Sequence, residues 1–265
     1  MLRRAAELGP LLRAEAQKSE EERRLTGAAL DALAGSGLLR MRVPRRFGGF
    51  ESDMRTVAEV LAELARGDGS ASWTASVWLI SGWMVGLFPD SVREEVFADP
   101  DVRISGILSP SAMAVPIEGG YQVSGKWSFN TGCLQSSWNV NAAVRPTPDG
   151  QYEPVMVLIP MGDLQIVDDW HTTGMRGSGS VSTIAENVFV PEDRLLPMGP
   201  VIGGAHPLQQ DPSALMWRAP FMPIACTTVG AVAFGLARAA LDAFLERLPG
   251  RKITYTDYEE QSAAP

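Results

Sequence analysis

The sequence is poor in the residues that build metal and thiol chemistry. It has two cysteines, Cys133 and Cys226, far apart and in no Cys-x-x-Cys pair. That excludes a disulfide framework and a cysteine zinc site, and it suits a reducing compartment. The two histidines, His171 and His206, are too few for a histidine-rich centre, so no metal is expected. The net charge of -8 lacks the basic excess that a nucleic-acid surface needs. The N-terminal stretch MLRRAAELGPLLRAEAQ is broken by charges and does not read as a signal peptide. The most apolar stretch, 221–237, is short and contains Pro223; it reads as a buried helix rather than a membrane span. A cytoplasmic protein is expected. GxGxxG after a strand, GxxxxGK followed by Ser or Thr, GxSxG and HExxH are all missing, which removes the common dinucleotide, P-loop, hydrolase and zincin readings.

What is present is an ordinary globular composition, 45% hydrophobic and 20% charged over 265 residues, enough for a sizeable core. Residues 1–100 carry helical patterns. Helices are expected over 2–25, with Pro10 a break or kink, and over 26–36 with Thr26 as N-cap. A third, 53–66, repeats Val57, Val60, Leu61 and Leu64 on one face. A fourth, 70–88, is apolar nearly all round and is expected to be buried. It holds Trp73, Trp78 and Trp83, which are either core or the lining of an aromatic substrate pocket. Ser91 and Glu94 read as a capping box for a fifth.

After Pro100 the period changes to two. Strands are expected over 102–108, 120–129, 138–144, 153–159, 165–170 and 181–190, forming an antiparallel β-sandwich or barrel across 101–200. Residues 201–265 hold a linker and one long helix, 215–248. The expected class is therefore α+β.

The segment most suggestive of chemistry is EGGYQVSGKWSFNTGC, 118–133. Its alternation places Tyr121, Val123, Trp127, Phe129 and Thr131 on one face. Such a face packs either a neighbouring helix or a planar ligand with one hydrogen bond from Thr131. GMRGSGS, 174–180, reads either as a plain turn or as an anion nest with Arg176, Ser178 and Ser180. His171, beside Trp170, is structural or catalytic. Asp168 and Asp169 are sequence neighbours and do not form a paired-carboxylate site.

The order of helices, β region and long helix, with GLLRMRVPRRFGGF, ELARGDGSASWTAS, GILSPSAMAVPIEGGYQVSGKWSFNTGC, WHTTGMRGSGS and VFVPEDR, resembles the acyl-CoA dehydrogenase fold, in its branch of flavin-dependent two-component monooxygenases. The resemblance covers about residues 20–250. It implies a flavoprotein hydroxylase that takes reduced FMN or FAD from a separate flavin reductase and oxygenates an aromatic or polyketide-like small molecule, in a homotetramer. The aromatic-x-Ser/Thr-Gly motif, Phe129 to Gly132, would then lie against the flavin ring, with Thr131 near its reactive nitrogen. Trp170 would sit ring-side, Ser109 along another edge, and Arg176 and Ser178 in a contacting loop. Thr131 and His171 are the catalytic candidates.

The chain also departs from that pattern. The Thr-Glu-Pro…Gly-Ser-Asp signature of the dehydrogenases is replaced by GILSPSAMAVPIEGG, and 213–241 holds no Asp or Glu to serve as a base. Both favour oxygenation over acyl-CoA oxidation, the first alternative. The family continues through a further helical bundle beyond the point where this sequence stops, so a truncated product or part of a longer protein is expected. A non-catalytic binding or assembly protein is the other alternative.

Overall fold

A computed structural model describes residues 1–99, 101–249 and 255. The first elements are α1 (Leu2–Glu22), α2 (Gly27–Gly35), α3 (Met54–Gly67), α4 (Gly69–Val85) and α5 (Asp90–Val96). α1 runs through Pro10 without a break. Thr26 caps α2 through the Ala29 amide, and Asp53 caps α3 through that of Thr56. Asp68 accepts from the Ser70 and Ala71 amides and starts α4 directly after α3. Burial pushes the Asp68 carboxyl above its usual range. The capping box at Ser91 does not form. α5 begins after Pro89 with no side-chain cap, and the Ser91 hydroxyl donates instead to Asp193.

α4 is buried on nearly every side. Gly69, Trp73, Val77 and Ile80 are the exceptions, each half-buried. Their spacing draws one stripe along the helix.

The β region forms one sheet of β1 (Ile104–Ile107), β2 (Ala112–Ile117), β3 (Gly120–Trp127), β4 (Trp138–Pro146), β5 (Tyr152–Pro160), β6 (Gln165–Val167), β7 (Ser182–Pro191) and β8 (Leu195–Pro197). The order is β6-β7-β3-β2-β4-β5-β8, with β1 beside β4. β2 and β8 add to the expected strands. The sheet is not purely antiparallel, because β1 and β2 each meet β4 in parallel. Trp127, Val123, Val155 and Val157 fill one apolar cluster within the sheet. Another joins Trp83, Met84 and Phe88 to Val140, Met156 and Leu158, and so fixes α4 against β4 and β5.

Two short helices, α6 (Met198–Ile202) and α7 (Pro207–Gln210), lead to α8 (Phe221–Arg247), which starts after Pro220 rather than at 215. α8 is not the buried helix that its composition implies. Phe221, Ile224, Ala225, Thr228, Ala231, Val232 and Gly235 form its buried stripe, while Phe234 and Phe244 are exposed. By length and composition alone α8 is apolar enough to cross a membrane; its buried stripe packs on α3 and α4. Gly235 permits the closest approach, since a Cβ there would lie 2.1 Å from the Ala62 carbonyl oxygen.

Candidate active site

The site grows from the end of β3. Trp127 is fully buried, and its indole donates to the Ala142 carbonyl at 2.7 Å. The alternation then stops. Phe129 has φ 64°, a left-handed conformation that costs a bulky residue energy and is held only by its surroundings. The Asn130 amide donates to Val181 at 3.0 Å and the Thr131 amide to Phe129 at 2.9 Å. Asn130 Nδ2 donates to Thr183 at 2.8 Å. The turn therefore projects Phe129 outward, 69% exposed, instead of onto the buried face that the alternation implies. Gly132, at φ 72°, finishes the turn; a Cβ there would lie 2.6 Å from Trp78 Nε1, so only glycine fits.

The 170–180 segment comes alongside. The Trp170 ring meets that of Phe129 edge-on, with centroids 6.1 Å apart, and its indole donates to Met175 at 3.2 Å. Glu20 Oε1 accepts from the Gly177 amide at 3.2 Å and from the Ser70 hydroxyl at 3.1 Å, tying the loop to α1 and α4. The anion-nest reading therefore fails: the Gly177 amide is satisfied by the protein's own carboxylate, and the Ser178 and Gly179 amides by loop carbonyls.

The Ser178 and Ser180 hydroxyls instead face Thr131. Thr131 Oγ1 lies 2.8 Å from Ser180 Oγ, which lies 2.7 Å from Ser178 Oγ. Trp73 Nε1 donates to Thr131 Oγ1 at 3.1 Å. The indole is a donor only, so one Thr131 lone pair is always filled. If Ser180 donates as well, the Thr131 proton is left to point into the site.

Two cavities share Trp73, Phe129, Thr131 and Val229 as walls. The larger, about 520 Å³, is bounded by Trp170, Met175, Ser178, Ser180 and the α8 face. The smaller, about 270 Å³, lies between the half-buried stripe of α4 and the end of β1. Among the described residues, no Asp, Glu, Lys, Arg or His lines either one. A wider opening of about 790 Å³, between α1 and α2, lies elsewhere and is charged.

Thus Thr131, Phe129, Trp170, Ser178 and Trp73 come together, with Ser109 at the wall of the smaller cavity. The other candidates do not. His171 is exposed beside the Arg23–Asp168 ion pair, with Nε2 3.5 Å from Arg23, and lines neither cavity. Arg176 lies outside both, with its Nε buried and unpartnered among the described residues. Trp78 donates to Ser136 at 3.0 Å. Trp83 is fully buried, stacked 5.8 Å from Phe221, and donates to the Met216 carbonyl. Five residues turn an α-helix by about 140° net, so tryptophans spaced by five cannot share one face. Cys133 is inert, because burial pushes its thiol up to about 12. Val77 and Ile80 of the α4 stripe, Ser180 and the α8 residues join Trp73 as pocket walls beyond the sequence reading; the spacing of Trp73, Val77 and Ile80 is the signal that marks the stripe.

Residues 5–90 match the family described as acyl-CoA dehydrogenase, N-terminal domain. The chain is 32% identical to the oxygenase subunit HsaA of a flavin-dependent monooxygenase from Rhodococcus jostii, over 95% of this chain and 66% of that one. It is 30% identical to the oxygenase component of an FADH(2)-dependent resorcinol hydroxylase from a Rhizobium species, over 94% of this chain and 61% of that one. The solved HsaA monooxygenase from M. tuberculosis superposes with a TM-score of 0.87 at 31% identity, covering 92% of this chain and 67% of that one. The chain thus spans 61% to 66% of the length of these two curated relatives. With the helix, sheet and helix order of that fold, these matches place the chain in the acyl-CoA dehydrogenase-fold family, in its flavin-dependent monooxygenase branch.

Proposed function

We propose that this chain forms the flavin and substrate site of the oxygenase component of a two-component monooxygenase. It would receive reduced FMN or FAD from a separate reductase and act on an aromatic or polyketide-like molecule, as a soluble cytoplasmic homo-oligomer. The observation that carries this reading is the Thr131 hydroxyl, oriented by Trp73 and Ser180 beside an exposed, conformationally constrained Phe129.

The residues fit the group. An isoalloxazine is a flat, largely apolar ring system with a polar edge. The larger cavity offers an aromatic corner, Phe129 against Trp170 at 88°, and a row of hydroxyls from Thr131, Ser180 and Ser178. The flavin would supply the activation of dioxygen. The protein's part is binding and exclusion. Phe129 and Trp170 would hold the ring, Thr131 would offer it one hydrogen bond, and Met175 with the α8 residues would limit its contact with water. No carboxylate lines either cavity among the described residues, so the base that acyl-CoA oxidation requires is not supplied by these walls.

Anaerobic titration of reduced FMN and FAD, followed by the quenching of protein tryptophan fluorescence, tests the reading. Saturable binding of one flavin per chain is expected. Absence of saturable binding for both flavins refutes it.

A further inference from the structure

The smaller cavity carries its own selectivity, and its role as the substrate site rests on the function proposed above. Its walls are α4, the end of β1 and the facing surface of β4 and β5. At a protein's packing density of about 0.75, its 270 Å³ accept about 200 Å³ of ligand, a fused ring system rather than a single small ring. Met84 and Met156, each 1% exposed, present polarizable thioethers suited to an aromatic face. No wall residue carries a charge among those described, so a carboxylate brought into this space has no partner.

One deep polar group stands out. Ser81 is 4% exposed and lines the cavity, yet its hydroxyl bonds to no other described residue. Other serines of α4 are satisfied: Ser72 donates to the Leu61 carbonyl and Ser76 to that of Trp73, each at 2.7 Å. β1 leaves room for the Ser81 hydroxyl by having Gly106 opposite, where a Cβ would lie 3.0 Å from Ser81 Oγ. Ser81 faces the cavity far along α4 from Trp73 and Thr131, so a ligand held at Ser81 extends toward the Thr131 end.

We infer that this cavity selects an uncharged fused-ring aromatic compound bearing a hydroxyl or carbonyl, which Ser81 hydrogen-bonds, and that it rejects carboxylated analogues. Ser81 is a specificity-determining residue, and the Met84–Met156 pair is the apolar floor.

Calorimetric titration with 2-naphthol, naphthalene and 6-hydroxy-2-naphthoate, on the protein and on Ser81→Ala, tests this. 2-Naphthol is expected to bind at least about 10-fold more tightly than the naphthoate. Ser81→Ala is expected to weaken 2-naphthol about 5-fold and leave naphthalene unchanged, the latter reporting an intact fold. Equal binding of the naphthoate, or unchanged 2-naphthol affinity in Ser81→Ala, overturns the inference. Because these titrations contain no flavin, their failure is separate from failure of the flavin titration, which tests the proposed function.

Discussion

Replacing Thr131 with valine keeps the shape of the side chain and removes its hydroxyl. In the native protein that oxygen accepts from Trp73 at 3.1 Å and pairs with Ser180 at 2.8 Å. Ser180 keeps its bond to Ser178 at 2.7 Å, so it loses one partner of two. The Trp73 indole is half-buried and stays within reach of water at the cavity wall. The fold is therefore expected to lose only about 1–3 kcal/mol. Flavin binding loses the one hydrogen bond that Thr131 provides, about 1 kcal/mol, or about 5-fold in affinity. Thr131→Ser keeps the oxygen and is expected to stay within about 2-fold of the native protein. Urea unfolding reads the first quantity and anaerobic fluorescence titration the second. Unchanged flavin affinity in folded Thr131→Val, or an equal loss in Thr131→Ser, refutes the role given to the hydroxyl.

The tryptophans of α4 divide by position. Trp73→Phe is expected to weaken flavin binding about 5-fold by freeing the Thr131 hydroxyl, whereas Trp83→Phe lowers the urea midpoint and leaves the affinity of the folded protein unchanged. Gly235→Ala forces a Cβ to 2.1 Å from the Ala62 carbonyl. The overpacking, about 1–3 kcal/mol, is expected to exceed the helix-propensity gain of about 1 kcal/mol and lower the midpoint; a raised midpoint contradicts the tight α3–α8 contact. Arg23 donates to Asp168 at 2.6 and 2.7 Å, and this bond holds the Asp168 carboxyl below its usual range. The pair's contribution is therefore complete above the unfolded carboxyl's pKa, about 3.9, and is lost as pH falls through the lower folded value. A small Tm gap between the native protein and Asp168→Asn is expected near neutral pH and should close as the pH falls below the unfolded carboxyl's pKa; a gap that widens on acidification contradicts this.

Much of the frame is legible in the residues because its causes are local. The spacing of Val57, Val60, Leu61 and Leu64 specifies the buried face of α3, and the all-round apolarity of α4 specifies its burial. Phe129 to Gly132 are legible as a motif, but the direction of Phe129 is not. A period of two extrapolates the ring inward, while the left-handed turn is imposed by Val181, Thr183 and the close approach of Trp78 to Gly132, all distant in sequence. β2 escapes a pattern reading because Pro116 lies within it and its pairing with β3 supplies the stability. The partnership of Ser178 and Ser180 with Thr131 is likewise non-local. α8 misleads in the other direction: its composition describes a buried helix, yet a single stripe is covered.

The most direct test of the account is the reaction of protein-bound reduced flavin with dioxygen. Protein at saturating concentration is mixed rapidly with reduced flavin and oxygenated buffer, and flavin absorbance is followed. Reoxidation is expected to pass through a resolved step that free flavin lacks, and Thr131→Val to alter the rate of that step. A time course that superimposes on that of free flavin contradicts the claim that this cavity holds the oxygen-activating cofactor.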